Sequence, residues 1–181
     1  MKTRNMITVS FAVAVLFLFS CTPQEKQNDN SAMIEKNKMA AQKIFDTFST
    51  GNSDSLGIYM KDNYVEHQGV PEIKTTGIQG FKDITTYYRT AFPDFKVTTM
   101  SMVAEGDLVA VMYNTKATNS GPIGAMPATN KPVDFSGVDI FKFADGKVVE
   151  HWGYFEELKM MSQLGLMPEM NPAENANPAK K

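Results

Sequence analysis

The chain has 181 residues, 43% of them apolar, with 18 Lys and Arg against 20 Asp and Glu. That size fits one folded domain, and a net charge of −2 offers no field to gather the phosphates of a nucleic acid. Two His and one Cys are too few for the usual zinc ligand sets and exclude an intrachain disulfide.

Lys2 and Arg4 precede an uncharged run, Met6 to Ser20, rich in Val, Leu, Phe and Ala. This is the layout of an export signal, and the run is short for a membrane span. It ends in Leu18-Phe19-Ser20-Cys21, which resembles the bacterial lipoprotein signal, where a small residue precedes a Cys that receives lipid (palmitate) and becomes the mature N-terminus. The other reading is a plain secretory signal or a short anchor with a free thiol. The divisions expected are a lipoprotein signal peptide over 1–20, a flexible tether over 21–31, a folded domain over 32–167 and a disordered tail over 168–181. Both flexible segments are polar and lack aromatic residues. This places the protein in the cell envelope, lipid-anchored to a bacterial membrane on its periplasmic or surface face.

Within the domain, Met33, Ala40, Ala41, Ile44, Phe45 and Phe48 fall near a 3.6-residue period, and Gly51 follows as a stop signal, so a helix is expected from Met33 to Phe48. A short second helix begins at Ser53 or Asp54 and turns Leu56 and Met60 inward. A third runs from about Gly77 through Phe81, Ile84, Tyr88 and Phe92 and ends before Pro93. The texture then changes to alternation and β-branched residues, giving strands at Phe95–Val103, Leu108–Thr118, Val133–Phe143 and Val148–Phe155. Helices first and strands after predict an α+β fold with antiparallel strands. Asn119 to Asn130, rich in Gly, Pro, Thr and Asn, reads as a rim loop, and Leu158 to Leu164 looks helical.

Asp145-Gly146 between two apolar alternating runs predicts a type I′ hairpin. Counting outward from Ala144 opposite Lys147, an unbroken register pairs Phe143 with Val148, Phe141 with Glu150, Asp139 with Trp152, Gly137 with Tyr154 and Phe135 with Glu156. Asp139 and Glu156 would then share an aromatic wall of Phe135, Phe141, Trp152 and Tyr154, while His151, Gly153 and Phe155 point away. A carboxyl in such a wall loses hydration and its pKa rises, as a general acid or base at neutral pH requires. Glu156 is the first candidate, with the alternative that it simply opens the following helix, where acidic residues are favoured. Asp139 carries the same ambiguity. His67, after Tyr64-Val65-Glu66, is a rim or pocket candidate, or else a hydrogen-bonded structural residue; His151 is demoted by its parity. Nucleotide-binding, serine-hydrolase and metalloprotease motifs are absent, and no cofactor is expected.

The strings Gly77-Ile-Gln-Gly80-Phe81, Ala91-Phe92-Pro93-Asp94-Phe95, Ala104-Glu105-Gly106-Asp107, Ala117-Thr118-Asn119-Ser120-Gly121, Asp139-Ile140-Phe141-Lys142-Phe143, Asp145 through Trp152 and Gln163-Leu164-Gly165 can be taken together. In order and spacing they resemble the SnoaL-like polyketide cyclase or ester cyclase family of the NTF2-like superfamily. The resemblance implies a cone of curved antiparallel sheet closed by three N-terminal helices around an apolar pocket, usually dimeric. It also implies cofactor-independent acid/base chemistry on a small hydrophobic carbonyl compound, an aldol-type cyclisation or isomerisation. The family carboxylate falls on Glu156, the family His before the third helix on His67, and a rim His of the family on Asn119. Catalytic roles are thus expected for Glu156, His67 and Asp139, and substrate contacts for Trp152, Tyr154, Phe135, Phe141 and Asn119, with lipid on Cys21. Glu156 replaces an Asp, and Met112 stands where the family often carries Arg. The competing expectations are a lipid-anchored protein that binds a hydrophobic ligand without changing it, and a structural envelope protein that uses the fold as a scaffold.

Overall fold

The computed structural model describes residues 24–167, with side chains from 30 onward. The expected signal peptide, Cys21 and the 168–181 tail lie outside the described residues. The first helix, α1, spans Gln24–Thr50. It therefore occupies most of the segment expected as a tether, whose Gln, Glu and Lys are good helix formers. Its Ala40, Ala41, Ile44 and Phe45 are buried, as the 3.6-residue spacing requires. The second helix, α2, is a single turn, Leu56–Tyr59, and Leu56 and Met60 are both buried. The third, α3, covers Gly77–Ala91 and closes at Phe92, just before Pro93. A fourth, α4, covers Glu157–Leu164.

Five strands form one sheet, β1 (Met60–Glu66), β2 (Lys96–Glu105), β3 (Leu108–Thr118), β4 (Pro132–Ala144) and β5 (Lys147–Phe155), in the order β1-β5-β4-β3-β2. The last four pair antiparallel as expected. The expectation of a purely antiparallel sheet is corrected by β1, which lies parallel to β5 at the edge. Its sequence, Met-Lys-Asp-Asn-Tyr-Val-Glu, buries only Met60 and Tyr64 and so carries little strand signal. The sheet is curved and unclosed, and α1, α3 and α4 pack against it to give an α+β domain.

Two apolar clusters fill the interior. One joins α1, α2, α3, β1, β3, β4 and β5 through residues such as Phe45, Leu56, Phe81, Tyr64, Tyr113, Phe141 and Val148, and the other joins the end of α3 to β4 and α4 through Phe92, Phe95, Phe135 and Leu164. Arg89 on α3 donates from Nη1 to the carbonyls of Phe48 (3.0 Å) and Ser49 (2.9 Å). It thereby satisfies carbonyl groups that the C-terminus of α1 leaves without helical partners and ties two of the covering helices together.

The hairpin between β4 and β5 has the expected turn, with Asp145 and Gly146 at φ 54° and 74°. Its register does not run unbroken. Phe143 pairs with Val148, but Lys142 pairs with Glu150, so Val149 is an extra residue in a β-bulge. Beyond the bulge Phe141 faces His151, Ile140 faces Trp152, Asp139 faces Gly153, Val138 faces Tyr154 and Gly137 faces Phe155. One inserted residue reverses the parity of the rest of β5. His151, Gly153 and Phe155 therefore turn inward beside Asp139, while Trp152 and Tyr154 turn to the outer face.

Candidate active site

The inner face of the sheet carries a cavity of about 90 Å³ whose wall includes Phe45, Phe48, Phe81, Tyr88, Phe95, Phe135 and Phe155. The carboxyl and imidazole side chains in that wall converge from three strands. Glu66 is the last residue of β1, Asp139 sits in mid β4 and His151 in β5, and parallel pairing sets Glu66 directly beside His151. The His151 Nδ1 stands 2.6 Å from Glu66 Oε2, a short charge-assisted contact. On its other side Nε2 stands 3.3 Å from Asp139 Oδ2, within ion-pair distance, yet without an aligned hydrogen bond. The imidazole stacks on Phe141 at 4.7 Å.

Two tyrosines flank this chain of three groups. Tyr64 donates to Glu66 Oε2 at 3.3 Å, and the backbone N–H of Gln68 donates to Oε1 at 3.0 Å. Tyr113 lies close enough to Asp139 for the carboxyl to act on its hydroxyl. Burial by itself would drive the His151 imidazole toward its neutral form; Asp139 and Glu66 outweigh it and push the pKa up to about 9. Burial likewise opposes ionisation of Glu66, but the contacts with His151, Gln68 and Tyr64 hold its carboxyl below the usual carboxylate range. The tyrosines move the other way, Tyr64 and Tyr113 upward through burial and their carboxylate partners, and Tyr88 up to about 12 chiefly through burial. At neutral pH the site thus holds an imidazolium clamped by Glu66, with its second N–H facing Asp139 and the cavity.

Of the expected site residues, Asp139 and Phe135 line this cavity, and Phe141 lies beneath it against His151. The others lie elsewhere. Glu156 is outside the aromatic wall: it precedes α4 and accepts from Lys159 Nζ (2.8 Å) and from the Ser136 backbone N–H (2.8 Å). Those contacts, Lys159 first, lower its pKa instead of raising it. The bulge carries Trp152 and Tyr154 to the outer face, where Tyr154 is 53% exposed. There His67 stacks flat on Trp152 at 4.4 Å and its Nε2 meets Glu150 Oε2 at 3.0 Å. Asn119 is fully buried, but as a loop fastener: it donates to the carbonyls of Ala91 (3.2 Å) and Gly121 (2.7 Å) and accepts from the Thr129 N–H (2.8 Å) and hydroxyl (2.9 Å). Sequence reasoning passed over Glu66, Tyr113 and Gly153 and demoted His151. The pair Val148-Val149, two apolar residues in succession where alternation should put one outward, was the available sign of the bulge.

Among the described residues no group of three or more His, Cys, Asp or Glu side chains is arranged to hold a metal ion. What the arrangement can do is hold, donate and accept protons in a buried, largely aromatic enclosure.

The SnoaL-like polyketide cyclase family matches residues 38–164. The chain belongs to that family. Solved structures share the fold. A candidate SnoaL-like polyketide cyclase from Jannaschia sp. CCS1 aligns at TM-score 0.66 and 23% identity over 75% of this chain and 96% of its own. A candidate polyketide cyclase from Acidithiobacillus ferrooxidans aligns at 0.61 and 26% identity over 72% and 94%. AclR from Streptomyces galilaeus, described as a candidate hydroxylase, aligns at 0.65 and 22% over 78% and 92%. No curated protein matches the chain.

Proposed function

We propose that this protein is a cofactor-independent acid/base catalyst of the cyclase type, acting on a small hydrophobic carbonyl compound through Asp139 and His151, with Glu66 as the positioning residue. The observation that carries this reading is the buried Glu66–His151–Asp139 chain opening on an aromatic cavity. Asp139 takes a proton from the carbon next to the substrate carbonyl. The electron pair of that C–H bond moves through the carbon framework to the carbonyl oxygen, where the His151 Nε2–H stabilises the developing charge. The resulting enolate carbon attacks a second carbonyl of the same molecule, forming a C–C bond. That oxygen then receives the proton held by Asp139, so the product is an isomer of the substrate and nothing else is consumed. Clamping Nδ1 against Glu66 aims Nε2 into the cavity, the same division of labour by which a buried carboxylate orients a catalytic His.

The test is solvent deuterium exchange into an enolisable ketone, such as a 1,3-diketone with an apolar side chain. The wild-type chain is expected to accelerate exchange, and Asp139→Asn to lose at least about a hundredfold of that rate. Ligand binding with no exchange by the wild type would sink catalysis and favour the non-catalytic carrier.

We also propose a lipid anchor on Cys21 and an envelope location, supported by the Lys2 to Cys21 sequence pattern. Self-association as a homodimer is supported by the apolar side chains exposed on the outer sheet face, among them Val103, Met112, Val138 and Tyr154. Mass-spectrometric detection of an acylated Cys21 and sedimentation of the purified chain test the two; an unmodified Cys21 and a monomer would overturn them.

A further inference from the structure

β5 presents an unusual gap on its inner face. His151 and Phe155 each turn a ring toward the cavity, and Gly153 between them presents none, although it lines the same wall. Glycine in a strand interior weakens the strand relative to Ala. The backbone does not call for it here, since Gly153 is not among the residues with positive φ. Gly137, the neighbouring strand glycine, is accounted for by the Tyr113 ring, whose Cζ and hydroxyl lie 2.4 Å from where its Cβ would be. At Gly153 the crowding atoms belong instead to the site itself: a Cβ would stand 3.1 Å from Asp139 Oδ1 and 3.3 Å from His151 Cε1, closer than ordinary van der Waals contact. Those atoms are the base and its partner, so glycine here keeps the strand backbone from pressing on the two groups.

We propose that Gly153 is the seat of the substrate's reacting carbon, a bare floor on which a flat, uncharged enolisable group lies against Asp139 Oδ1 with its oxygen toward His151 Nε2. This rests on the catalytic reading given above and adds the substrate's position and class. Flatness follows from the floor, because a strand backbone without a side chain admits a planar group at van der Waals distance where a methyl would hold it off. Absence of negative charge follows from the wall, where two carboxyl groups face one imidazole and no Lys or Arg is present. A carboxylate ligand would add a like charge to a buried enclosure, whereas a ketone, an ester or the corresponding enol adds none.

The probe is 4-nitrophenol, a planar ring with an enol-like hydroxyl whose absorbance reports its ionisation. With the full chain carrying carbon-13 at glycine Cα, the Gly153 signal, assigned through Gly153→Ala, is expected to shift on saturation while the Gly137 signal stays within a quarter of that movement. The bound probe is expected in its neutral form, and Gly153→Ala to weaken binding at least tenfold. A Gly153 signal that stays still while the Phe135 and Phe155 rings respond overturns the seat and leaves the catalytic reading standing. Undiminished binding to Gly153→Ala, or a bound phenolate, overturns it as well. A response in neither the glycines nor the His151 ring removes the seat and the catalytic reading together. Should Gly153→Ala fail to fold, the wild-type signals, assigned by through-bond experiments, decide alone.

Discussion

The edge formed by β1 and β5 carries two His–Glu pairs, one on each face of the sheet, and they differ mainly in burial. Inside, His151 meets Glu66 at 2.6 Å with side chains 9% and 16% exposed. Outside, His67 meets Glu150 at 3.0 Å with side chains 34% and 28% exposed. Each imidazole stacks on an aromatic ring, Phe141 within and Trp152 without. The inner His is pushed up to a pKa of about 9 by two carboxylates, against the effect of its burial. The outer pair is shared with Lys142, which contributes more than His67 does to lowering the Glu150 pKa, and water screens all three. The same two residue types thus make a proton-handling group on one face and a surface contact on the other. Placement relative to solvent separates them.

The largest expected effect breaks the comparison at the inner His. His151→Gln is expected to lower ketone exchange at least about a hundredfold, whereas His67→Gln and Glu156→Gln stay within about twofold of wild type. Comparable losses in His67→Gln would move the chemistry to the outer face.

The second effect is on stability against pH. A His whose pKa rises from 6.5 unfolded to about 9 folded contributes stability that is complete below pH 6.5 and disappears as pH climbs through 9. That rise corresponds to about 3 kcal/mol. Glu66 behaves oppositely: its lowered pKa adds stability above its unfolded value, lost as pH falls through the folded one. Because the two shifts describe one shared contact, their contributions do not add in full. The wild type's stability to urea is therefore expected to fall steadily between pH 6.5 and 10, with His151→Gln flattening that slope and His67→Gln preserving it. An unchanged slope in His151→Gln would show that the inner pair is not what titrates.

These tests also mark what alternation can and cannot tell. Phe135, Asp139 and Phe141 were legible because β4 runs without interruption, so their parity holds from turn to site. The type I′ turn was legible from Asp145-Gly146. What failed was a single step. The extra residue Val149 is β-branched like the strand around it, so local propensity fits both the bulged and the unbroken register, and the wrong choice inverted Trp152, Tyr154 and His151 together. Glu156 fell with it, since its place in the wall depended on the same count. Glu66 was hidden for another reason: β1 is mostly polar, and its partner lies 85 residues away in a parallel pairing that no short-range signal encodes.

The smallest effect sharpens the outer face. His67→Ala removes the stack on Trp152 and the contact with Glu150, both on a half-exposed surface, and Glu150 keeps Lys142 Nζ at 2.9 Å. An exposed pair of this kind contributes little because two long side chains lose freedom in making it and solvent competes for both. The expected cost is about 2 °C in Tm, with exchange activity unaltered. A loss several times larger would mean that His67 holds the turn after β1, where its backbone N–H donates to the His151 carbonyl at 2.9 Å. Since that bond leaves from the main chain, His67→Gln would then destabilise as strongly as His67→Ala only if the ring itself fixes the turn. If Gln restores wild-type stability, the side-chain hydrogen bond to Glu150 is sufficient and the stack on Trp152 adds nothing measurable.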